Sequence, residues 1–397
     1  MLGKIFLLSL CAAGILLLSG CDSTGTSDTN NLPVSEAGSS VEQDSEIMMN
    51  QVQYLGSHNS FHKQTDAGLS ALLVASGQGE LVATLEYGHV PLAEQFESHG
   101  VRHIELDIFH YPDGGRCANH DAQSLVPGGV VASGVAELDE PGLKVLHVQD
   151  IDYETTCYTF TSYLRDVKGW SDSNPKHLPI TILIQPQSSD NDIPAQFSAV
   201  GLTAAAVLPF DSVAVELIET EVRSVFTNEQ LILPDDVRGD FDTLEMAALN
   251  QGWPLLSEVR GRIMFVLTAT GSVRDDYIAG HPSLEGRAMF TTSEPGTPEA
   301  AALLKNDPEA TAGEIRRLVE AGYIVRTRAD ADLIEARADD TTRREAAFDR
   351  GAQLISTDFF APNTNSDFNG YLVVISGGTT ARCNPVSAPV SCDSDLL

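Results

Sequence analysis

Four short stretches of this sequence carry side chains able to move protons or hold a cation: Ser57-His58-Asn59-Ser60, Glu105-Leu106-Asp107, His147, and Gln185-Pro186-Gln187. Glu105 and Asp107 are two apart, so on a strand both side chains point to one face and their oxygens can share one hard cation, for which calcium is the natural choice. Asn59 can add a carbonyl oxygen from a neighbouring strand end. His58 and His147 are imidazoles that titrate near neutrality. Across a metal-held phosphate, two such groups equip a site for general-base attack by one hydroxyl and general-acid expulsion of another. Taken singly, the acids also fit a solvated strand face, and His147 a hydrogen-bonded core histidine.

The elements that must position these residues read as repeated βα units. Eight β-branched and apolar runs lie at 52–57, 101–109, 143–148, 178–184, 262–268, 287–292, 323–327 and 353–357. Stretches of helical period separate them, at 156–167, 212–226, 311–321 and 341–350, the last two followed by Gly322 and Gly351 as C-caps. Eight strands with crossovers predict an α/β fold, a (β/α)8 barrel of the TIM type. In that fold chemistry gathers where strands end, and the polar clusters fall at the ends of the first four runs. Between Pro186 and Arg262 a fifth strand and an insertion are hard to separate.

Composition narrows the partners. Against 56 acidic residues stand 24 Lys and Arg, a formal charge of -32. Such a surface repels phosphate backbones, which excludes sequence-independent nucleic-acid binding and docking on an anionic membrane by a basic patch. A membrane device stands at the N-terminus instead: one lysine, an apolar run too short to span a bilayer comfortably, then Leu18-Ser19-Gly20-Cys21. This reads as a lipoprotein signal peptide over residues 1–20 with Cys21 acylated, or as an ordinary signal peptide cleaved nearby. Residues 21–48 read as a polar tether and 49–397 as the folded domain. The expected product is an exported bacterial lipoprotein facing the periplasm or the cell exterior, anchored by its N-terminal lipid and monomeric. Four cysteines remain, an even number for an oxidising compartment. The pairing expected is Cys117 with Cys157 and Cys383 with Cys392, the second closing a short Pro-containing loop; a zinc site lacks the usual CxxC spacing.

The blocks Gly56-Ser57-His58-Asn59-Ser60-Phe61-His62, Gly100-Val101-Arg102-His103-Ile104-Glu105-Leu106-Asp107 and Val145-Leu146-His147 resemble the calcium-dependent phosphatidylinositol-specific phospholipase C family of bacteria. The likeness continues through His177-Leu178-Pro179-Ile180, Gly252-Trp253-Pro254, Val325-Arg326-Thr327-Arg328-Ala329-Asp330, Ser356-Thr357-Asp358 and Arg382-Cys383-Asn384-Pro385, covering residues 50 to 392. The resemblance implies a PLC-like phosphodiesterase barrel that uses Ca2+ to cleave phosphatidylinositol into diacylglycerol and a cyclic inositol phosphate. It makes His58 and His147 the acid and base pair, in an order left open, and Asn59, Glu105 and Asp107 metal ligands. One departure stands at the fourth run, where the family has Glu and then Lys and this chain has Gln185 and Gln187. Gln185 can still offer a carbonyl oxygen to the metal but no charge, and Gln187 takes the place of a substrate-facing lysine. Arg326 or Arg328 is the expected replacement cation toward the substrate phosphate. Asp358 fits either the barrel mouth or a helix cap. Alternatives are a metal-dependent phosphodiesterase on another phospholipid or a glycerophosphodiester, although strand one lacks the His-Arg-Gly opening of that class, and a non-catalytic phosphoinositol-binding lipoprotein.

Overall fold

The computed structural model describes residues 39–188, 205–362, 366–368 and 370–397. Among the described residues ten strands follow one another: β1 Val52–Ser57, β2 His103–Tyr111, β3 Gly142–Val145, β4 Ile180–Pro186, β5 Ile263–Leu267, β6 Met289–Thr291, β7 Ala302–Leu304, β8 Ile324–Arg328, β9 Leu354–Thr357 and β10 Ala381–Cys383. Eight of them form a continuous parallel run in the order β6-β5-β4-β2-β1-β9-β8-β7. A parallel bridge from Thr292 to Ala302 joins the two ends and closes the barrel. The strands are buried on both faces, as a parallel sheet wrapped in helices requires, and for that reason read as continuous apolar runs.

The barrel strands differ from expectation at two points. The run at 143–148 is not a barrel strand: β3 pairs antiparallel with the outer half of β2, Val145 opposite Ile108 and Gly142 opposite Tyr111. Its place in the barrel is taken by β7, three residues in an alanine-rich stretch whose small side chains give no strand signature. No strand lies in 187–262 among the described residues. Helices Phe160–Ser173 and Ser212–Val225 pack on the outside behind N-caps Thr159 and Asp211. Gly322 ends helix Ala312–Ala321 with φ +114°. A Cβ there would stand 2.2 Å from the carbonyl oxygen of Ala248, so both conformation and space demand glycine.

The span read as tether is folded over its last ten residues. Helix Ser40–Asp44 lies against the body through Asp44, which takes two hydrogen bonds of 2.5 and 2.8 Å from Arg260. Gln43 exchanges two more with the backbone of Asp393. The signal segment, Cys21 and residues 22–38 lie outside the described residues.

Cys383 and Cys392 are bonded, but Cys117 and Cys157 are not. Cys117 is buried in a small cluster with Phe109, Tyr111, Leu138 and Leu146, whereas Cys157 packs at the edge of the main core, so the expected second bridge is absent. The disulfide that forms holds β10 beside the N-terminal half of β1, where Val52 faces Cys383, at the opposite end of that strand from His58. Closing a loop with sequence separation 9 stabilises by about 2.5 kcal/mol through the unfolded chain. Replacing both Cys383 and Cys392 with Ser should lower the unfolding free energy in urea by about that amount and leave turnover unchanged; a fall in turnover with no loss of stability would contradict the assignment.

Candidate active site

At the C-terminal ends of the strands a cavity of about 430 Å³ opens. His58, Asn59, Asp107, His147, Gln185, Gln187, Arg328 and Asp358 line its polar side, and Leu81, Leu85, Val148 and Ile151 its apolar side. The Ser57-His58-Asn59-Ser60 cluster is built by local hydrogen bonding. Ser60 clamps β1 to β2 by exchanging bonds with Glu105, its amide donating to the Glu105 carbonyl at 3.0 Å and its Oγ accepting the Glu105 amide at 2.9 Å. Gln95 then holds Ser57 Oγ and the Ser60 carbonyl, each at 2.7 Å. Asn59 adopts φ +43°, a left-handed turn that asparagine tolerates and most side chains do not.

Each cavity histidine is braced by a buried carboxylate on Nδ1. His58 Nδ1 lies 2.9 Å from Asp358 Oδ1, and Asp358 also accepts from Arg328 at 3.2 Å. Asp358 is itself fixed by its amide, which donates to Asp330 Oδ1 at 2.9 Å. His147 follows β3 into a tight turn in which Val148 and Asp152 exchange backbone hydrogen bonds of 2.9 and 2.8 Å. That turn returns Asp152 to within 2.7 Å of His147 Nδ1. The same carboxylate accepts from His62 Nε2 at 2.7 Å and from Thr65 at 2.5 Å. An Nδ1–H donated to a carboxylate fixes the tautomer and leaves Nε2 as the working nitrogen in both rings.

The two imidazoles are driven apart. Burial and then the Arg328 charge push the His58 pKa below the ordinary histidine value, Asp358 opposing without prevailing. Burial also pulls on His147, but the hydrogen bond and charge of Asp152, with Asp107 behind them, outweigh it and raise its pKa. Two imidazoles shifted in opposite directions therefore face one cavity, the pattern that separates an acceptor from a donor.

Glu105 and Asp107 are both buried, at 3 % and 2 % exposure, which rules out a solvated strand face. Asp107 sits opposite Gln185 in the β2–β4 register. Its Oδ1 is buried without a hydrogen-bond partner, and burial lifts its pKa to about 7, with Gln187 hydrogen-bonded to it in opposition. Asn59 donates its Nδ2 to the Tyr87 hydroxyl at 3.1 Å, which reserves its carbonyl oxygen as acceptor. Asn59, Asp107 and Gln185 thus offer hard oxygens on one wall, and the stranded Asp107 oxygen is what a calcium ligand looks like without its cation, so the set fits the metal. Glu105 differs from the other three: its Oε2 is 2.5 Å from Arg326.

Of the two arginines offered toward the substrate, Arg328 lines the cavity, whereas Arg326 does not line it and is held on Glu105. Tyr87, Asp152 and Asp330 carry no site role in the sequence reading, and His62, which that reading lets reach the mouth without a role, lies behind His147 on Asp152. The proximity of Asp152 to His147 in sequence was the one usable signal. His62, His147 and Asp152 have donor atoms within 4.8 Å of one another, close enough for a metal, yet their 2.7 Å contacts are hydrogen bonds to a shared carboxylate. His120 stacks on Tyr153 and His110 lies near Phe210, and neither lines the cavity.

Residues 47–385 match the family described as phosphoinositide phospholipase C, Ca2+-dependent. No curated protein matches the chain. Among solved structures it is similar to a calcium-dependent phosphoinositol-specific phospholipase C from a Gram-negative bacterium, Pseudomonas sp, with 14 % identity over 86 % of this chain and 97 % of that one, TM-score 0.48. A Ca2+-dependent phosphatidylinositol-specific phospholipase C from Streptomyces antibioticus has 13 % identity over 79 % and 95 %, TM-score 0.48. A glycerophosphoryl diester phosphodiesterase from Parabacteroides distasonis is more distant, 11 % over 80 % and 88 %, TM-score 0.28.

Proposed function

The chain belongs to the Ca2+-dependent phosphoinositide phospholipase C family, and on that premise we propose that it cleaves phosphatidylinositol to diacylglycerol and a cyclic inositol phosphate, with His58 as general base and His147 as general acid. The observation that carries this reading is the pair of cavity histidines, each braced on Nδ1 by a buried carboxylate and shifted in opposite directions. His58 Nε2 accepts the proton of the inositol 2-hydroxyl as its oxygen bonds to phosphorus. The bond from phosphorus to the diacylglycerol oxygen breaks, and His147 Nε2 delivers a proton to that leaving oxygen. The histidines end with their protons exchanged and are reset when water opens the cyclic ester in the reverse sense.

Asn59, Asp107 and Gln185, with Glu105, would hold calcium, which when bound supplies charge neutralisation of the phosphate and lowers the pKa of the attacking hydroxyl. Among the described residues Arg328, fixed by Asp358, is the cation best placed to meet a phosphate oxygen. The apolar wall of Leu81, Leu85, Val148 and Ile151 suits the glycerol and acyl side of the same substrate. Acylation of Cys21 in an exported chain would keep the domain at the surface of a phospholipid membrane, where its acidic surface offers no attraction of its own.

The test is release of water-soluble inositol phosphate from phosphatidylinositol in mixed detergent micelles by the full chain, with millimolar calcium and then with excess chelator. Calcium-dependent release is expected. Release from glycerophosphoinositol but not from phosphatidylinositol would favour the glycerophosphodiester alternative, and headgroup binding without release would favour a non-catalytic protein.

A further inference from the structure

Arg326 and Glu105 form an ion pair of 2.5 Å with side chains only 2 % and 4 % exposed. The guanidinium is held from other sides too, by Ser356 Oγ at 3.1 Å and by Asn306 Oδ1. It is anchored, not a mobile surface arginine.

We infer that Arg326 is a resident counter-cation that competes with calcium for Glu105 and sets the metal affinity of this site low. This rests on the reading of the cavity as a calcium site. A divalent ion is attracted by the charge of its oxygen ligands, and affinity follows the number of charged ligands and the rigidity of the site. The proposed ligand set holds two carboxylates, Glu105 and Asp107, since Gln185 brings a dipole without charge. Arg326 cancels one of them, and it cannot withdraw without giving up three partners. Within that ligand set the acid charge left for calcium is that of Asp107, which places the site among weak ones, with a dissociation constant of about 10⁻⁴ to 10⁻³ M.

Calorimetric titration of the full chain with calcium, beside thermal melting in chelator and in calcium, tests this without any assay of turnover. Arg326→Met should bind calcium at least tenfold more tightly than the wild type, melt lower in chelator because Glu105 is left buried without a partner, and recover when calcium is added. The double variant Arg326→Met with Glu105→Gln restores the charge balance and should bind within about threefold of the wild type; it also decides the matter if the single variant does not fold. Unchanged or weaker binding by Arg326→Met, or a loss beyond threefold in the double variant, overturns the competition while leaving the calcium site itself intact. No binding by the wild type and by every variant removes the calcium reading beneath it.

Discussion

Changing His58 or His147 to Ala is expected to reduce kcat on phosphatidylinositol by about 10² to 10⁴-fold, the range for losing one general acid or base. The effect should fall on kcat and spare KM, because neither ring holds the ground-state substrate in the proposed sequence of proton transfers. Folding should survive both changes. His58 and His147 side chains are 17 % and 24 % exposed, and the carboxylates behind them keep other partners, Arg328 for Asp358 and His62 with Thr65 for Asp152. The double variant should lose little more than the worse single one, since each proton transfer is useless without the other. Steady-state kinetics beside a melting curve check this. A variant that keeps more than a third of wild-type kcat with an unchanged melt would remove that histidine from the chemistry.

The second large effect is expected at Asp358, which touches no substrate in the proposed arrangement and acts by positioning His58. Asp358→Asn can turn its NH2 toward His58 Nδ1, which moves the ring proton to Nε2 and blocks it as an acceptor. A wrong tautomer of this kind costs about 10³ to 10⁴-fold in kcat. A merely structural role for Asp358 would leave the pH profile unmoved, and the tautomer argument moves it. Asp358 raises the His58 pKa against burial and Arg328. Without that charge His58 loses its proton at lower pH, so the acid limb of kcat/KM for the residual activity should shift downward. An unshifted limb, or a loss under threefold, would contradict the positioning role. Asp152→Asn should be milder, because His62 and Thr65 lie against the same carboxylate and orient its replacement.

The site residues that stand on β1, β2 and β4 were legible because strand ends carry polar groups after apolar runs, and the barrel brings those ends together. His147 reaches the cavity by a different route from the barrel strand that its sequence suggests: β3 runs antiparallel on the outer half of β2, and a turn beyond it delivers the ring to the mouth. Strand β7 escaped because Ala302, Leu303 and Leu304 carry no period and no β-branched residue. The Arg326–Glu105 pair was beyond a local reading, since it joins β8 to β2 across the barrel interior and depends on strand stagger. Asp152 and Asp330 give no sequence signal for a similar reason: buried carboxylates with structural partners look in sequence like any of the 56 acids. The free Cys117 follows from packing, because the cluster of Phe109, Tyr111, Leu138 and Leu146 encloses it away from Cys157.

The assignment of base and acid is tested most directly by changing the leaving group. An inositol phosphodiester of 4-nitrophenol releases an anion that needs no proton, whereas the diacylglycerol oxygen does. On that substrate, with calcium present, His147→Ala should regain turnover to within about tenfold of the wild type, and His58→Ala should stay as impaired as on phosphatidylinositol. Rescue of His58→Ala with continued failure of His147→Ala would reverse the two roles, and equal failure of both would contradict the acid and base pair.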